Sequence, residues 1–224
     1  TGEGVGLTSA CLGLVYALEC QGVKAGFLKP FSQETHQESD RSTALYRHLS
    51  NSETVEPIPY LKLIQQLNLG ENDELLEDAV RLHRQIAKHH DLIIVEGLVP
   101  NSRDSFASTL NAALVQALDA KVIIVSNADI NKPEVTAEKV ENQLRYLGGA
   151  SSTRMAGVLF MRTKGLPEDS AEIPVTIDPS LRLISDTNKF TAQIQKTHAH
   201  IGSEKLPVIG LVPFSNTLSV PRIS

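Results

Sequence analysis

Residues Asp91–Asp129, DLIIVEGLVPNSRDSFASTLNAALVQALDAKVIIVSNAD, decide the fold class. They open with one apolar run, Asp91–Gly97 (DLIIVEG), and close with another, Lys121–Asn127 (KVIIVSN). Neither run alternates polar with apolar residues, which is how strands covered on both faces read. Between them Phe106, Leu110, Ala113, Leu114 and Ala117 recur at helical spacing. A strand, a helix and a strand in that order predict a right-handed crossover between parallel strands.

Outward from this unit the same alternation continues. Ala25–Phe31 (AGFLKPF), Met155–Met161 (MAGVLFM) and Pro207–Pro213 (PVIGLVP) read as further strands. Leu75, Leu76, Ala79, Val80, Ile86 and Ala87 form a second helical stripe, and Val140, Leu144 and Leu147 a third. The expectation is therefore an α/β domain over residues 1–214 with a mostly parallel central sheet. Thr176–Ile201 reads as a loop followed by a helix, and Ser215–Ser224 (SNTLSVPRIS) as a linker toward a further domain. Thr1–Gly4 is a turn of the kind normally fed by a strand, so a strand upstream of Thr1 is expected. No repeat occurs at solenoid periods.

Composition narrows the function classes. Hydrophobic residues make up 41% of the 224 residues and charged residues 21%, as in an ordinary globular protein. Aromatics are only 4% and Trp is absent, so the core must be aliphatic. The net charge of −5 argues against nucleic acid or an anionic membrane as a partner. Cys11 and Cys20 lie nine apart in one expected helix and cannot bridge within it. They read as reduced, partly buried thiols of a cytoplasmic protein. No apolar run approaches the roughly 20 residues of a membrane span, and no signal-peptide series is present.

The chain begins with a glycine loop, Gly2-Glu3-Gly4-Val5-Gly6-Leu7-Thr8-Ser9, that runs into an apolar helix containing Ala10, Leu12, Leu14, Val15 and Leu18. Glycines let successive N–H groups turn inward, and the positive end of the following helix favours an anion at the same place. A working phosphate loop reads G-x-x-x-x-G-K-[ST]. Here the span from Gly2 to Gly6 is one residue short, and Leu7 occupies the lysine position. A charge-assisted hydrogen bond contributes about 1.5–3 kcal/mol, so its loss weakens phosphate binding roughly ten- to a hundredfold. Thr8 or Ser9 still offers a hydroxyl to Mg²⁺, whereas Glu3 adds an unfavourable carboxylate. Taken alone, the loop reads equally well as a turn that only starts a helix.

Val5–Gln33 (VGLTSACLGLVYALECQGVKAGFLKPFSQ), Asp91–Asp129 and Pro207–Ser215 (PVIGLVPFS) together resemble the amino-terminal third of long-form phosphate acetyltransferases. The ordered set VGLTS, KPxxQ, VEGLVP and PVxGxVPxS carries the resemblance, while 34–90 and 164–205 match loosely. The same block is similar to dethiobiotin synthetase, an ATP-dependent ligase with a three-layer P-loop NTPase-like fold, and that fold is the one implied here. In that enzyme family the loop reads V-G-K-T, where this chain has Val5-Gly6-Leu7-Thr8. By the resemblance Lys29-Pro30 stands where a Lys-Pro pair approaches substrate and phosphate. Asp40 and Glu96 stand where carboxylates, with a loop hydroxyl matching Thr8, hold Mg²⁺. The adenine-reading Asn is expected near Met161-Arg162, and neither supplies a carboxamide. The pairs His89-His90 and His198/His200 have no carboxylate or cysteine at ligand spacing and read as surface residues, and Asp129–Pro133 (DINKP) as a helix entry.

The resemblance implies a regulatory and oligomerisation domain, with acetyl-CoA plus phosphate converted to acetyl phosphate plus CoA by a carboxy-terminal catalytic domain of the same chain. No residue here is then catalytic. No cofactor is required, and the degenerate loop takes at most a weak nucleotide or metabolite effector with Mg²⁺. Self-association is expected. The alternatives are a stand-alone ATP-dependent ligase related to dethiobiotin synthetase, which Lys29 and Glu96 favour and Leu7 opposes, and a partitioning-type ATPase, whose early loop lysine is not seen in Thr1-Gly2-Glu3.

Overall fold

The computed structural model describes residues 2, 4–35, 40–50, 54–129, 131–164, 188, 190–196, 198, 200–203 and 205–213. Glu3, the loop expected at 176–187 and the tail 215–224 lie outside them. The chain divides into two compact units, Leu7–Ala120 and Thr1–Gly6 with Lys121–Ser224.

In the first unit the chain runs α1 (Leu7–Cys20), β1 (Ala25–Leu28), α2 (Arg41–Leu49), α3 (Tyr60–Leu69), α4 (Asn72–Ala87), β2 (Leu92–Val95) and α5 (Ala107–Ala117). β1 and β2 pair in parallel, with Ala25 opposite Leu92 and Leu28 opposite Val95. β1 is buried throughout. β2 was expected to be covered on both faces but is only partly buried, with Leu92 exposed. On one side Leu63, Leu75, Ala79, Ala107, Leu110 and Leu114 bring α3, α4 and α5 into a single aliphatic cluster. On the other, Cys11 and Val15 of α1 pack with Ala25, Phe27 and Tyr46.

Local chemistry explains the helix limits. α4 carries Asp73 and Glu74 in its first turn and Arg84 in its last, each favourable to the helix dipole. α2 is polar and lacks an apolar stripe, yet the Asp40 carboxylate caps it by accepting from the N–H groups of Ser42 and Thr43 at 2.9 and 3.1 Å. The cysteines are free, and their expected partial burial divides: Cys11 is buried and Cys20 is exposed. Burial pushes the Cys11 thiol far above its ordinary pKa, so it stays protonated and inert.

The second unit contains β3 (Val122–Asp129), α6 (Pro133–Leu144), a single 3₁₀ turn at Arg145–Leu147, β4 (Met155–Lys164) and β5 (Val208–Pro213). β4 is central, with β3 and β5 parallel to it on either side. All five expected strands form, and every pairing between them is parallel, in keeping with the P-loop-like α/β class. Residues 190–196 are helical, as the sequence led one to expect ahead of the last strand. Phe190 and Ile194 join Val140, Leu144, Val158, Phe160 and Leu211 in the core. Asn131 N–H donates to Asp129 Oδ1 at 2.9 Å, and Pro133 opens α6, so DINKP does shape a helix entry. His198, which has no carboxylate at ligand spacing in the sequence, meets Glu141 at 2.8 Å; the partner is 57 residues away, where spacing rules cannot find it.

β4 and β5 approach closely at Gly157, whose φ is +153°. A Cβ there would lie 2.6 Å from the Pro207 carbonyl and 2.7 Å from Ile209 Cγ2. Gly157→Ala is expected to lower stability by about 1–3 kcal/mol through this overlap, measured by urea unfolding. An unchanged midpoint would show that the two strands separate without cost.

Candidate functional site

The residues singled out at the ends of β1 and β2 converge with α1 and α2 in the first unit. Lys29 follows β1, Glu96 follows β2, Asp40 caps α2, and Thr8 lies in the first turn of α1. The Lys29 ammonium is 3.0 Å from Asp40 Oδ2 and 3.4 Å from Glu96 Oε1, and it donates to Ser42 Oγ at 3.2 Å. An ammonium has three donors; Asp40 and Ser42 lie at hydrogen-bond distance from it, and Glu96 makes a longer ion pair. Ser42 donates onward to Glu96 Oε1 at 2.9 Å, as does Thr8 at 3.2 Å. Ser32 Oγ donates to Asp40 Oδ2 at 3.1 Å.

This is a buried ionic cluster. Lys29 is 8% exposed, and Asp40 and Glu96 are each 4% exposed. Burial works against the Lys29 charge, but Glu96 and then Asp40 outweigh it and hold its pKa above the ordinary lysine value. Burial raises the Glu96 pKa despite Lys29 and the hydroxyls of Ser42 and Thr8. Glu96 Oε2 is buried with no hydrogen-bond partner among the described residues. Removing one member of a buried ion pair costs about 3–5 kcal/mol, so the cluster is also a structural tie.

The residues that the resemblance assigns to Mg²⁺ (Thr8, Asp40 and Glu96) do come together, but around an ammonium. Among the described residues no group of three or more His, Cys, Asp or Glu is arranged to hold a metal. A divalent ion needs oxygen ligands at about 2.0–2.6 Å, and the space between the two carboxylates is filled by Lys29. As folded, the set does not fit the ion.

Behind β2 the segment Leu98–Pro100 is clamped by two side-chain amides. Asn111 Oδ1 accepts from Leu98 N–H and its Nδ2 donates to Leu98 O, both at 2.8 Å. Gln33 Oε1 accepts from Val99 N–H at 2.7 Å, and its Nε2 donates to Val99 O at 3.0 Å. Each amide imitates the pairing of a neighbouring strand. Leu98 itself is buried in the aliphatic cluster. Gln33 Nε2 also donates to the fully buried Asp104, which accepts from Tyr60 Oη and Asn101 Nδ2 as well.

The loop glycines behave as the sequence implies. Gly2, Gly4 and Gly6 all have positive φ, at 94°, 71° and 83°, values that disfavour any side chain. Within that unit Arg162 Nη1 donates to Gly4 O at 3.0 Å, so the position expected to read a base carries a cation held against the loop backbone. In the other unit Leu7 packs against the cluster of Cys11, Val15, Ala25, Phe27 and Tyr46. The lysine position is partly buried against this cluster. Val5 is buried and Ser9 is exposed. Two contributors were not foreseen. Ser42 was detectable only as part of the Asp-x-Ser-Thr helix start, and Asp104 carried no signal beyond a loop carboxylate.

Burial opposes the Asp104 charge, but hydrogen bonds from Gln33, Tyr60, Asn101 and Arg103 hold its pKa below the ordinary 3.8. A carboxylate with a depressed pKa contributes stability that is present above its unfolded value and is lost as pH falls through the folded value. Asp104→Asn is therefore expected to cost about 1–3 kcal/mol at neutral pH. That deficit should shrink on acidification below 3.8, measured by urea unfolding across a pH series. A deficit independent of pH would contradict the assignment.

A family model described as an AAA domain matches residues 1–222. Along 99% of its length the chain is 62% identical to the phosphate acetyltransferase of Acinetobacter baylyi, covering 31% of that protein. It is 36% identical to that of Haemophilus influenzae, over 98% of the chain and 31% of the relative. With that of Escherichia coli it shares 28% over 99% of the chain and 31% of the relative. The chain thus spans about 31% of the length of these curated relatives. By the match across nearly all its residues and its parallel α/β architecture, the chain belongs to the AAA domain family.

Proposed function

We propose that this chain is the amino-terminal regulatory and oligomerisation domain of a cytoplasmic phosphate acetyltransferase, an acyltransferase. In the whole protein a separate carboxy-terminal domain makes acetyl phosphate and CoA from acetyl-CoA and phosphate. The observation that carries the reading is the similarity to phosphate acetyltransferases along almost the whole chain but only 31% of their length. The geometry supports the division of labour. Leu7 packs, partly buried, against an apolar cluster, and the Lys29 ammonium is engaged by Asp40, Ser42 and Glu96. These features leave a P-loop scaffold poorly equipped for ATP chemistry and weigh against the ligase reading. A scaffold of this kind regulates by binding a metabolite more tightly in one state of the parent enzyme than in another.

Coupling of this sort typically changes an affinity about 5–150-fold. Removal of residues 1–224 from the parent acetyltransferase is expected to leave acetyl transfer measurable. Its response to NADH or pyruvate should be abolished, and its assembly state lowered. Steady-state rates with and without each metabolite, together with sedimentation, make the test. Acetyl transfer lost from a folded truncated enzyme would overturn the reading, as would metabolite responses that survive the truncation.

A further inference from the structure

We infer that the Lys29 side chain is a tethered cation that takes the place of a divalent metal ion, so that this end of the first unit neutralises its own carboxylates and excludes Mg²⁺. The inference rests on the arrangement of the cluster and does not depend on the regulatory reading. Three oxygen atoms, two from the start of α2 and one from the end of β2, surround the ammonium: Asp40 Oδ2 at 3.0 Å, Ser42 Oγ at 3.2 Å and Glu96 Oε1 at 3.4 Å. The first two are hydrogen-bond separations for a nitrogen donor and the third is an ion-pair distance, so the three N–H groups face three oxygens.

The oxygens also make a plausible set for a hard cation, with two carboxylates and the hydroxyls of Thr8 and Ser42 close by. The ammonium occupies the space between the two carboxylates. A divalent ion entering between Asp40 and Glu96 would have to expel the ammonium, and Lys29 is buried directly after β1, next to Pro30. A covalently attached ion also enters without loss of translational freedom, so it competes at high effective concentration against free Mg²⁺. Glu96 Oε2, buried and without a hydrogen-bond partner among the described residues, leaves acceptor capacity on the acidic side of the cluster beyond the single positive charge. Replacing the lysine by an apolar side chain of similar length should therefore uncover a latent metal site rather than merely delete a contact.

The test uses Mn²⁺ alone with the 224-residue chain, read as loss of the free-ion electron paramagnetic resonance signal. The unchanged chain is expected to take up no Mn²⁺ through the millimolar range. Lys29→Met should bind about one equivalent at least roughly tenfold more tightly, and adding Glu96→Gln should abolish that binding. Two results would overturn the inference: uptake of Mn²⁺ by the unchanged chain that Glu96→Gln removes, or a folded Lys29→Met that binds no better than the unchanged chain. Should Lys29→Met fail to fold, NMR of the lysine ammonium groups in the unchanged chain decides the matter. A Lys29 resonance protected from solvent and unmoved by millimolar Mg²⁺ supports the tethered cation, and its displacement by Mg²⁺ overturns it.

Discussion

The ammonium of Lys29, enclosed by Asp40 and Glu96, is the constraint from which the first unit is built. A lysine buried alone would lose its charge, and two carboxylates buried alone could not both remain ionised. Together they fix the separation between the end of β1 and the end of β2, and they fasten the N-terminus of α2 to both. Ser42 and Thr8 extend the same network into α2 and α1. Elements with few apolar contacts are thereby located by polar ones. Asp40 shows the economy of the design: one oxygen caps a helix while the other meets an ammonium and the Ser32 hydroxyl.

The same interaction separates architecture from activity. A P-loop enzyme keeps cations available for phosphate groups, whereas here the available lysine is closed on its own chain and the loop lysine is replaced by Leu7. The segment after β2 is likewise fixed, by Gln33 and Asn111, where a site that closes over a substrate would need freedom. Fold alone does not carry function. What persists is a parallel α/β support, which fits the proposed regulatory role.

Much of this was legible in the sequence. The five strands announce themselves as short apolar runs, and α1, α4, α5 and α6 as stripes of aliphatic residues. α2 and α3 did not, for different reasons. In α2 only Tyr46 is a buried large apolar residue, while Leu45 and Leu49 are exposed, so no stripe exists and the Asp40 cap decides. In α3 exposed Leu61 and Leu69 blur the face marked by the fully buried Leu63. Thr8, Asp40 and Glu96 could be nominated from a resemblance to enzymes that bind metal, but their closure around Lys29 depends on contacts between residues 11 to 67 positions apart. No local pattern encodes such a contact. Cys20 illustrates the same limit on a smaller scale: its helix is predictable, but its exposure depends on which face the rest of the unit covers.

The most direct measurement is a calorimetric titration of the chain with MgATP, repeated on Leu7→Lys. A scaffold whose loop lacks its lysine should bind MgATP no more tightly than about millimolar, and restoring the charge should strengthen binding roughly ten- to a hundredfold. Micromolar binding by the unchanged chain, not strengthened by Leu7→Lys, would contradict the proposal that the nucleotide chemistry of this fold has been dismantled.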